Sequence, residues 1–158
     1  HYDPSSRTLR LSQGVADSTS LTALGVAAHE TGHALQHRDA YKPLVLRTAV
    51  VPTVSIGSSL SWPLFLIGLI FDWQPLITLG IVFFLLTVLF TLITLPVEFN
   101  ASKRAMTALS SDGYLDADEL DGAGRVLKAA AMTYVAAALT AVLQLLRLLA
   151  LSNRRRDR

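Results

Sequence analysis

Hydrophobic residues form three long stretches in this chain, and the charged residues are concentrated between them. No Asp, Glu, Lys, Arg or His lies between Arg47 and Asp72 or between Asp72 and Glu98, and a third such interval runs from Lys128 to Arg147. The segment "LITLGIVFFLLTVLFTLITL" has no polar face, so a soluble fold would have to surround it completely. Because about 20 apolar residues in a helix cross a hydrocarbon core of about 30 Å, the pattern predicts a mainly α, integral membrane helical protein.

The stretches differ in how regular they are. The first, from about Leu44 to Phe71, contains two prolines and several serines, and irregular backbone at membrane depth is tolerated only where protein covers it or where it lines a cavity. We therefore expect this stretch to form two separate pieces. The second, Pro75 to Leu95, predicts an uninterrupted transmembrane helix, and the polar turn "DWQP" before it predicts a transmembrane hairpin.

Beyond the second stretch the polar pattern returns. "PVEFNASKRAMTALSSDG" predicts an amphipathic helix that starts near Pro96 and ends around Gly113. "YLDADELDGAG" predicts an acidic loop with at most a short helix, and the remaining apolar segment predicts a long helix that ends in the basic tail "NRRRDR".

The N-terminal segment predicts a short β element followed by a helix. The turn signal Asp3-Pro4-Ser5-Ser6 precedes the alternating residues Thr8–Leu11, which is typical of a β-hairpin or an edge strand. A helix is expected from about Leu21 to His37, with Ser18, Thr19 or Ser20 as its N-cap.

Composition narrows the classes of partner. Of the 158 residues, 16% are charged, whereas soluble domains carry about 25%. The chain contains no cysteine, which excludes disulfides and thiolate metal sites, and the net charge of +2 gives no reason to expect a nucleic-acid partner. The partners expected are the lipid bilayer, a peptide or membrane-protein substrate, and other membrane proteins or a homo-oligomer.

Residues 27–37 read "AAHETGHALQH" and contain a His-Glu-x-x-His (HExxH) motif. On a helix, His29 and His33 project from one face and can bind one zinc ion through their rings. Glu30 is rotated away from them and can reach a zinc-activated water as a general base, which points to peptide-bond hydrolysis. The alternative is a solvated helix face with incidental histidines.

A catalytic zinc site needs a third protein ligand. His37 lies one further helical turn along and is rotated, so we expect it to snorkel toward the membrane interface or to support the site rather than to join the same ion easily. Glu98 directly follows the second hydrophobic stretch. Because two consecutive spans form a hairpin, the chain returns beside the histidine helix at this point, and the topology favours Glu98 as the ligand. A plain interfacial charge is the alternative.

Four segments, "HYDPSSRTLRLS", "GVAAHETGHALQH", "LPVEFNASKRA" and "LKAAAMTYVAAAL", resemble the YugP-type neutral zinc metallopeptidases of bacterial membranes. These proteins are similar to the HtpX-like and CAAX-prenyl-protease gluzincins, which pair the motif with a later glutamate. The resemblance covers essentially the whole chain. It implies Zn2+ as the cofactor, His29, His33 and Glu98 as its ligands, and Glu30 as the base.

The chain departs from the HtpX-like pattern at one position. An aspartate is expected four residues after the ligand glutamate, and this chain has Ser102 there. A carboxylate that orients a ligand histidine is therefore missing at that position, and Asn100 or Ser102 is expected to do this through weaker hydrogen bonds.

Two further roles are predicted. Tyr134 and Arg125 are candidates to stabilise the oxyanion, although the first also suits an ordinary packed tyrosine and the second a helix-start charge. The strand near Leu9, Arg10 and Leu11 is a candidate to pair with an extended substrate, with an ordinary hairpin edge as the alternative.

We interpret the chain as a single membrane-embedded metallopeptidase domain with an HExxH core. Its parts are a strand and motif helix (1–43), a transmembrane hairpin (44–96), a third-ligand helix and acidic loop (97–122), and a hydrophobic helix and basic tail (123–158). A start without Met leads us to expect that the natural N-terminus is missing.

The function favoured is a multi-pass zinc endopeptidase of the bacterial inner membrane. By the positive-inside rule, the cations of the basic tail indicate a site on the external face, whereas the cations beside the motif indicate a site on the cytoplasmic face. The analogy with HtpX-like enzymes favours the cytoplasmic face. A catalytically inactive zinc-binding scaffold or adaptor and an ion transporter are the alternatives.

Overall fold

The computed structural model describes residues 1–111, 113 and 115–156, with only the backbone of residues 155 and 156. Within this part of the chain the elements are β1 (Tyr2–Asp3), β2 (Thr8–Leu9), α1 (Gln13–Ala16), α2 (Leu21–Arg38), α3 (Lys42–Ile70), α4 (Gln74–Ser111) and α5 (Ala117–Arg156). Helices α3, α4 and α5 are each long and apolar enough to cross a membrane. The prediction of a mainly helical membrane protein is confirmed.

The N-terminal hairpin is present but shorter than the alternating pattern predicted. β1 and β2 pair antiparallel, with Tyr2 opposite Leu9 and Asp3 opposite Thr8. The Asp3 carboxylate accepts hydrogen bonds from the backbone N–H of Ser5 and from both serine hydroxyls of the turn, which lowers its pKa. Arg10 and Leu11 lie outside the strand, and this part of the prediction was wrong. Arg10 still donates its backbone N–H to the His1 carbonyl oxygen.

Helix α2 carries the HExxH motif and matches its prediction to within one residue. Ser20 is the N-cap, and its hydroxyl oxygen accepts the N–H of Ala23 at 3.2 Å. The chain leaves the helix through Ala40, which adopts the left-handed conformation at φ +48°.

The first hydrophobic stretch is one helix, not two pieces. Pro52 and Pro63 lie inside α3. The hydroxyls of Ser58 and Ser59 donate to the carbonyl oxygen of Ser55, so these serines are satisfied within the helix and do not interrupt it. Packing of a buried helix face, with residues three or four positions apart (Gly57, Ser61, Phe65 and Gly68), outweighs the local signals.

No separate helix begins at Pro96 within the described residues, because α4 continues through this proline to Ser111. The prediction of a new helix at this position was therefore wrong. Proline removes one backbone donor, but the flanking residues remain helical. As a result, Glu98 lies on the same helix as the second hydrophobic stretch.

The acidic segment is likewise mostly helical. Asp116 and Glu119 form a capping box, in which each side chain accepts the backbone N–H of the other residue, at 2.8 and 3.1 Å. Helix α5 therefore begins at Ala117, and the predicted acidic loop is shorter than expected. Tyr114 of that loop and the last two residues of the basic tail, Asp157 and Arg158, lie outside the described residues.

The chain divides into two compact units. Unit 1 consists of His1–Val45 and Leu95–Tyr134, and unit 2 consists of Leu46–Thr94 and the residues from Val135 onward. Unit 1 has a small core of Ala28, Ala105 and Leu127. Unit 2 has a larger one, formed by Phe65, Ile77, Phe84, Val88 and Leu148.

Candidate metal centre

Small residues bring α2 and the C-terminal part of α4 into direct backbone contact in unit 1. A Cβ atom on Gly32 would lie 2.3 Å from the carbonyl oxygen of Ala101, so only glycine fits at this position. Ala28 and Ala105 are buried at the same interface. Because the two backbones approach this closely, polar side chains that flank the contact can reach across it.

Three of these side chains converge. The Nε2 atom of His29 lies 3.1 Å from Oε2 of Glu98, and Nε2 of His33 lies 3.6 Å from the same oxygen. The imidazole rings are edge to face, with centroids 4.8 Å apart. Glu98 is 1% exposed, and a carboxylate is rarely buried this deeply without partners.

The other ring nitrogen of each histidine has its own hydrogen-bond partner. His29 Nδ1 lies 3.2 Å from the Ser102 hydroxyl, and His33 Nδ1 lies 2.9 Å from Oε1 of Gln36. Both Nε2 atoms are thereby directed at the carboxylate, in the arrangement by which proteins orient metal-ligating histidines.

The centre favours positive charge. Burial by itself lowers the pKa of His33, but the hydrogen bond and negative charge of Glu98, with smaller contributions from Gln36 and Glu30, raise that pKa above its ordinary value. An environment that stabilises an imidazolium also suits a cation bound between the rings and the carboxylate.

The donor set fits zinc. Two imidazoles and a carboxylate are the ligands of many catalytic zinc sites, and two ligands about 2.0–2.1 Å from a tetrahedral ion lie about 3.3–3.4 Å apart. The separations of 3.1 and 3.6 Å bracket that distance. Among the described residues, His29, His33 and Glu98 form the group that could hold a metal ion, with all three ligand atoms within 4.8 Å of one another.

Glu30, the predicted base, is fixed by the N-terminal hairpin. Its Oε2 atom accepts the backbone N–H of Tyr2 at 2.8 Å. The hydroxyl of the same tyrosine lies 2.7 Å from Nδ1 of His37. Tyr2 thus fastens β1 to α2 at two points, and His37 contacts this tyrosine rather than belonging to the metal-binding group of the described residues.

The two residues expected to support a ligand histidine, Asn100 and Ser102, lie on α4 and make different contacts. Ser102 contacts His29 directly. Asn100 instead accepts a hydrogen bond from Gln36 at 3.0 Å, and Gln36 contacts His33. The sequence reasoning missed Gln36, although its position three residues after His33 on a helix was a readable signal.

The remaining site predictions lie on α5 and in the N-terminal hairpin with the chain after it. Arg125 is exposed and pairs with Asp121 one turn earlier on α5. Tyr134 lies on α5 at 38% exposure. Tyr2 of β1 hydrogen-bonds to Glu30 of the motif, whereas Leu9 belongs to β2 and Arg10 and Leu11 to the chain after it. The oxyanion and substrate-strand roles of these residues stay predictions.

Comparison with known proteins places these residues in a family context. The model of the family described as "Putative neutral zinc metallopeptidase" matches residues 1–153. The protein named "Putative membrane protease YugP" of Bacillus subtilis (strain 168) is 48% identical over 157 residues, which cover 99% of this chain and 70% of that protein. No solved structure matches the chain.

Proposed function

The chain belongs to this neutral zinc metallopeptidase family, and from that premise we propose that it is a membrane-bound zinc endopeptidase. The observation that carries the proposal is the convergence of His29 Nε2, His33 Nε2 and Glu98 Oε2 at a buried point in unit 1. These three residues would hold the ion. The metal, when bound, supplies the acidity that activates water near neutral pH and polarises the peptide carbonyl.

Glu30 is the proposed general base. It neighbours the ligand His29 in sequence, and the N–H of Tyr2 restrains one of its carboxylate oxygens. Glu30 would take a proton from the attacking water and deliver it to the leaving amine nitrogen as the peptide C–N bond breaks. Ser102 and Gln36 would keep the histidine rings oriented throughout.

The substrate is proposed to be an extended peptide or a segment of a membrane protein. Contact between β1 and Glu30 supports a substrate path along the hairpin, where a strand can be added through backbone hydrogen bonds. We also propose that Tyr134 or Arg125 stabilises the oxyanion. The site is proposed to lie on the cytoplasmic face of the bacterial inner membrane. The family match over residues 1–153 supports one metallopeptidase domain.

Replacement of the base separates catalysis from metal binding. We expect Glu30→Gln to retain about one zinc per chain by metal analysis and to lose cleavage of an unfolded reporter such as casein. The loss should be large, since a base contributes about 10²–10⁴-fold. The control is Lys103→Gln, a change on the exposed side of α4, which should leave both unchanged. Undiminished proteolysis in Glu30→Gln would remove Glu30 from the mechanism.

A further inference from the structure

Gln36 is a fully buried amide in unit 1. It is 0% exposed, and it lies on α2 three residues after His33. Burying an amide costs free energy unless its donors and acceptor find partners. The three hydrogen bonds of this side chain therefore indicate what it does.

The neighbours of Gln36 determine which end of its amide faces the histidine. Its Nε2 group donates to the carbonyl oxygen of Val97 at 2.7 Å and to Oδ1 of Asn100 at 3.0 Å. A backbone carbonyl can only accept, so the nitrogen must point toward α4. The oxygen Oε1 must then face His33 Nδ1, at 2.9 Å.

Asn100 is oriented in turn by a charged neighbour. Its Oδ1 accepts from Nε of Arg104 at 2.8 Å, and Arg104 also donates to the Asp39 carboxylate at 2.5 Å. Because the guanidinium has only donors, it fixes the oxygen of Asn100 toward itself and toward Gln36. The donor and acceptor roles of these hydrogen bonds are thus fixed from Arg104 through the two amides to the imidazole ring of His33.

We propose that Gln36 is a positioning residue that holds His33 in the tautomer with hydrogen on Nδ1 and its Nε2 lone pair directed at the metal position. Asn100 holds Gln36 in the required orientation. This inference rests on the proposed function, because it concerns the same metal centre. Gln36 touches neither substrate nor metal and acts through His33.

The two ligand histidines differ in this respect. Ser102 lies 3.2 Å from His29 Nδ1, and a hydroxyl can donate or accept, so it does not select a tautomer. Gln36 presents only an oxygen. Removal of Gln36 should therefore disturb the centre more than removal of the Ser102 hydroxyl.

The test compares Gln36→Met, which keeps the side-chain volume and removes all three hydrogen bonds, with Ser102→Ala. Zinc affinity is measured by competition with a chromophoric chelator on the detergent-solubilised full chain. We expect Gln36→Met to weaken zinc binding by about 10- to 100-fold and Ser102→Ala to weaken it less. Equal zinc affinity in Gln36→Met and the unmutated chain would overturn the proposal.

Nitrogen-15 NMR of labelled histidine side chains supplies a readout that a merely structural role would not move. In the zinc-loaded chain, the hydrogen on His33 Nδ1 should exchange slowly with water, because the Gln36 oxygen accepts it, and in Gln36→Met this exchange should become fast. Fast exchange already present in the unmutated chain would contradict the assigned orientation.

A second pair of variants covers the case in which Gln36→Met does not fold. Asn100→Ala removes an acceptor of Gln36 and should weaken zinc binding by a few fold, whereas Asn100→Asp keeps that acceptor and should bind zinc as tightly as the unmutated chain. Equal zinc affinity in the two Asn100 variants would show that Asn100 does not hold Gln36 in its orientation and would overturn this part of the proposal. A chain that binds no zinc before any substitution would instead refute the proposed function itself.

Discussion

Both units join helices through glycine contacts, but the side chains that surround these contacts differ. In unit 2, a Cβ on Gly80 would lie 2.7 Å from the backbone nitrogen of Phe65, and one on Gly68 would lie 2.7 Å from that of Ile77. The core there is a cluster of apolar side chains, and the buried Ser61 hydroxyl donates to the carbonyl oxygen of Gly80 at 3.1 Å. Among the described residues of this unit, the buried side chains include no charged group and no amide. In unit 1, Gly32 lies against Ala101, and the neighbouring buried side chains include Gln36 and Glu98.

The difference shows what close packing is used for in each unit. In unit 2 the close contact stabilises the packing of the helices, because small residues let transmembrane helices gain van der Waals contacts. In unit 1 the contact sets the distances between Glu98 and the two histidines. An apolar interface could repack around a small displacement of its helices. In unit 1 the same displacement of α2 from α4 would separate Glu98 from both histidines.

The largest effect is therefore expected from Gly32→Ala. The added methyl group would meet backbone atoms of Ala101, which cannot rotate away, so α2 and α4 must move apart. We expect a stability loss of about 1–3 kcal/mol or more. Zinc affinity, measured by chelator competition, should fall by roughly 100-fold, toward the upper end of what disturbed ligand orientation costs.

Gly25→Ala is the matched control on the same helix. Its new methyl would lie 3.4 Å from the Val126 side chain, an ordinary contact, and alanine favours the helix by about 0.8–1.0 kcal/mol over glycine. Zinc binding should be unchanged. If both glycine variants bound zinc normally, close approach of α2 and α4 would not be what sets the ligand distances.

Gly80→Ala should lower stability without lowering zinc affinity. The methyl would meet backbone atoms of Phe65, for a cost of about 1–3 kcal/mol in an SDS-unfolding titration. Gly57→Ala, which meets the flexible end of Leu86 at 3.3 Å, is the milder control. A loss of zinc from folded Gly80→Ala would contradict the assignment of a purely stabilising role to the glycine contacts of unit 2.

A smaller effect is expected at the surface of unit 1. The guanidinium groups of Arg38 and Arg104 lower the pKa of Asp39 to about 2. A carboxyl group with a lowered pKa in the folded chain stabilises it above its ordinary pKa, and this contribution disappears as the pH falls toward 2. The melting temperatures of the native chain and Asp39→Asn should therefore differ slightly at pH 6 and converge by pH 2. A constant difference would contradict this assignment.

The sequence predicted those parts of the molecule that depend on local chemistry. The cap at Ser20, the helix from Leu21 and the turn at Asp3–Ser6 follow from side-chain hydrogen bonds within a few residues, and the structure has all three. It also brings together His29, His33 and Glu98, as the predicted hairpin required, although 64 residues separate His33 from Glu98 in the chain.

The parts that failed depend on tertiary packing. Pro52, Pro63 and Pro96 are helix breakers by local rules, yet α3 and α4 continue through them because packing outweighs propensity. Gln36 escaped notice because a buried amide in a helix looks like any surface glutamine until its partner helix is known. Residue patterns indicated the proposed ligands, and only the fold revealed the residue that is proposed to orient one of them.

Zinc content of Glu98→Gln tests the central claim most directly. The amide keeps the size of the side chain but loses the negative charge that the two imidazoles face at 3.1 and 3.6 Å. We predict about one zinc per purified native chain and a fall to well below half in Glu98→Gln, with the helical circular-dichroism signal retained. Full zinc retention in a folded Glu98→Gln protein would contradict the metal centre described for unit 1.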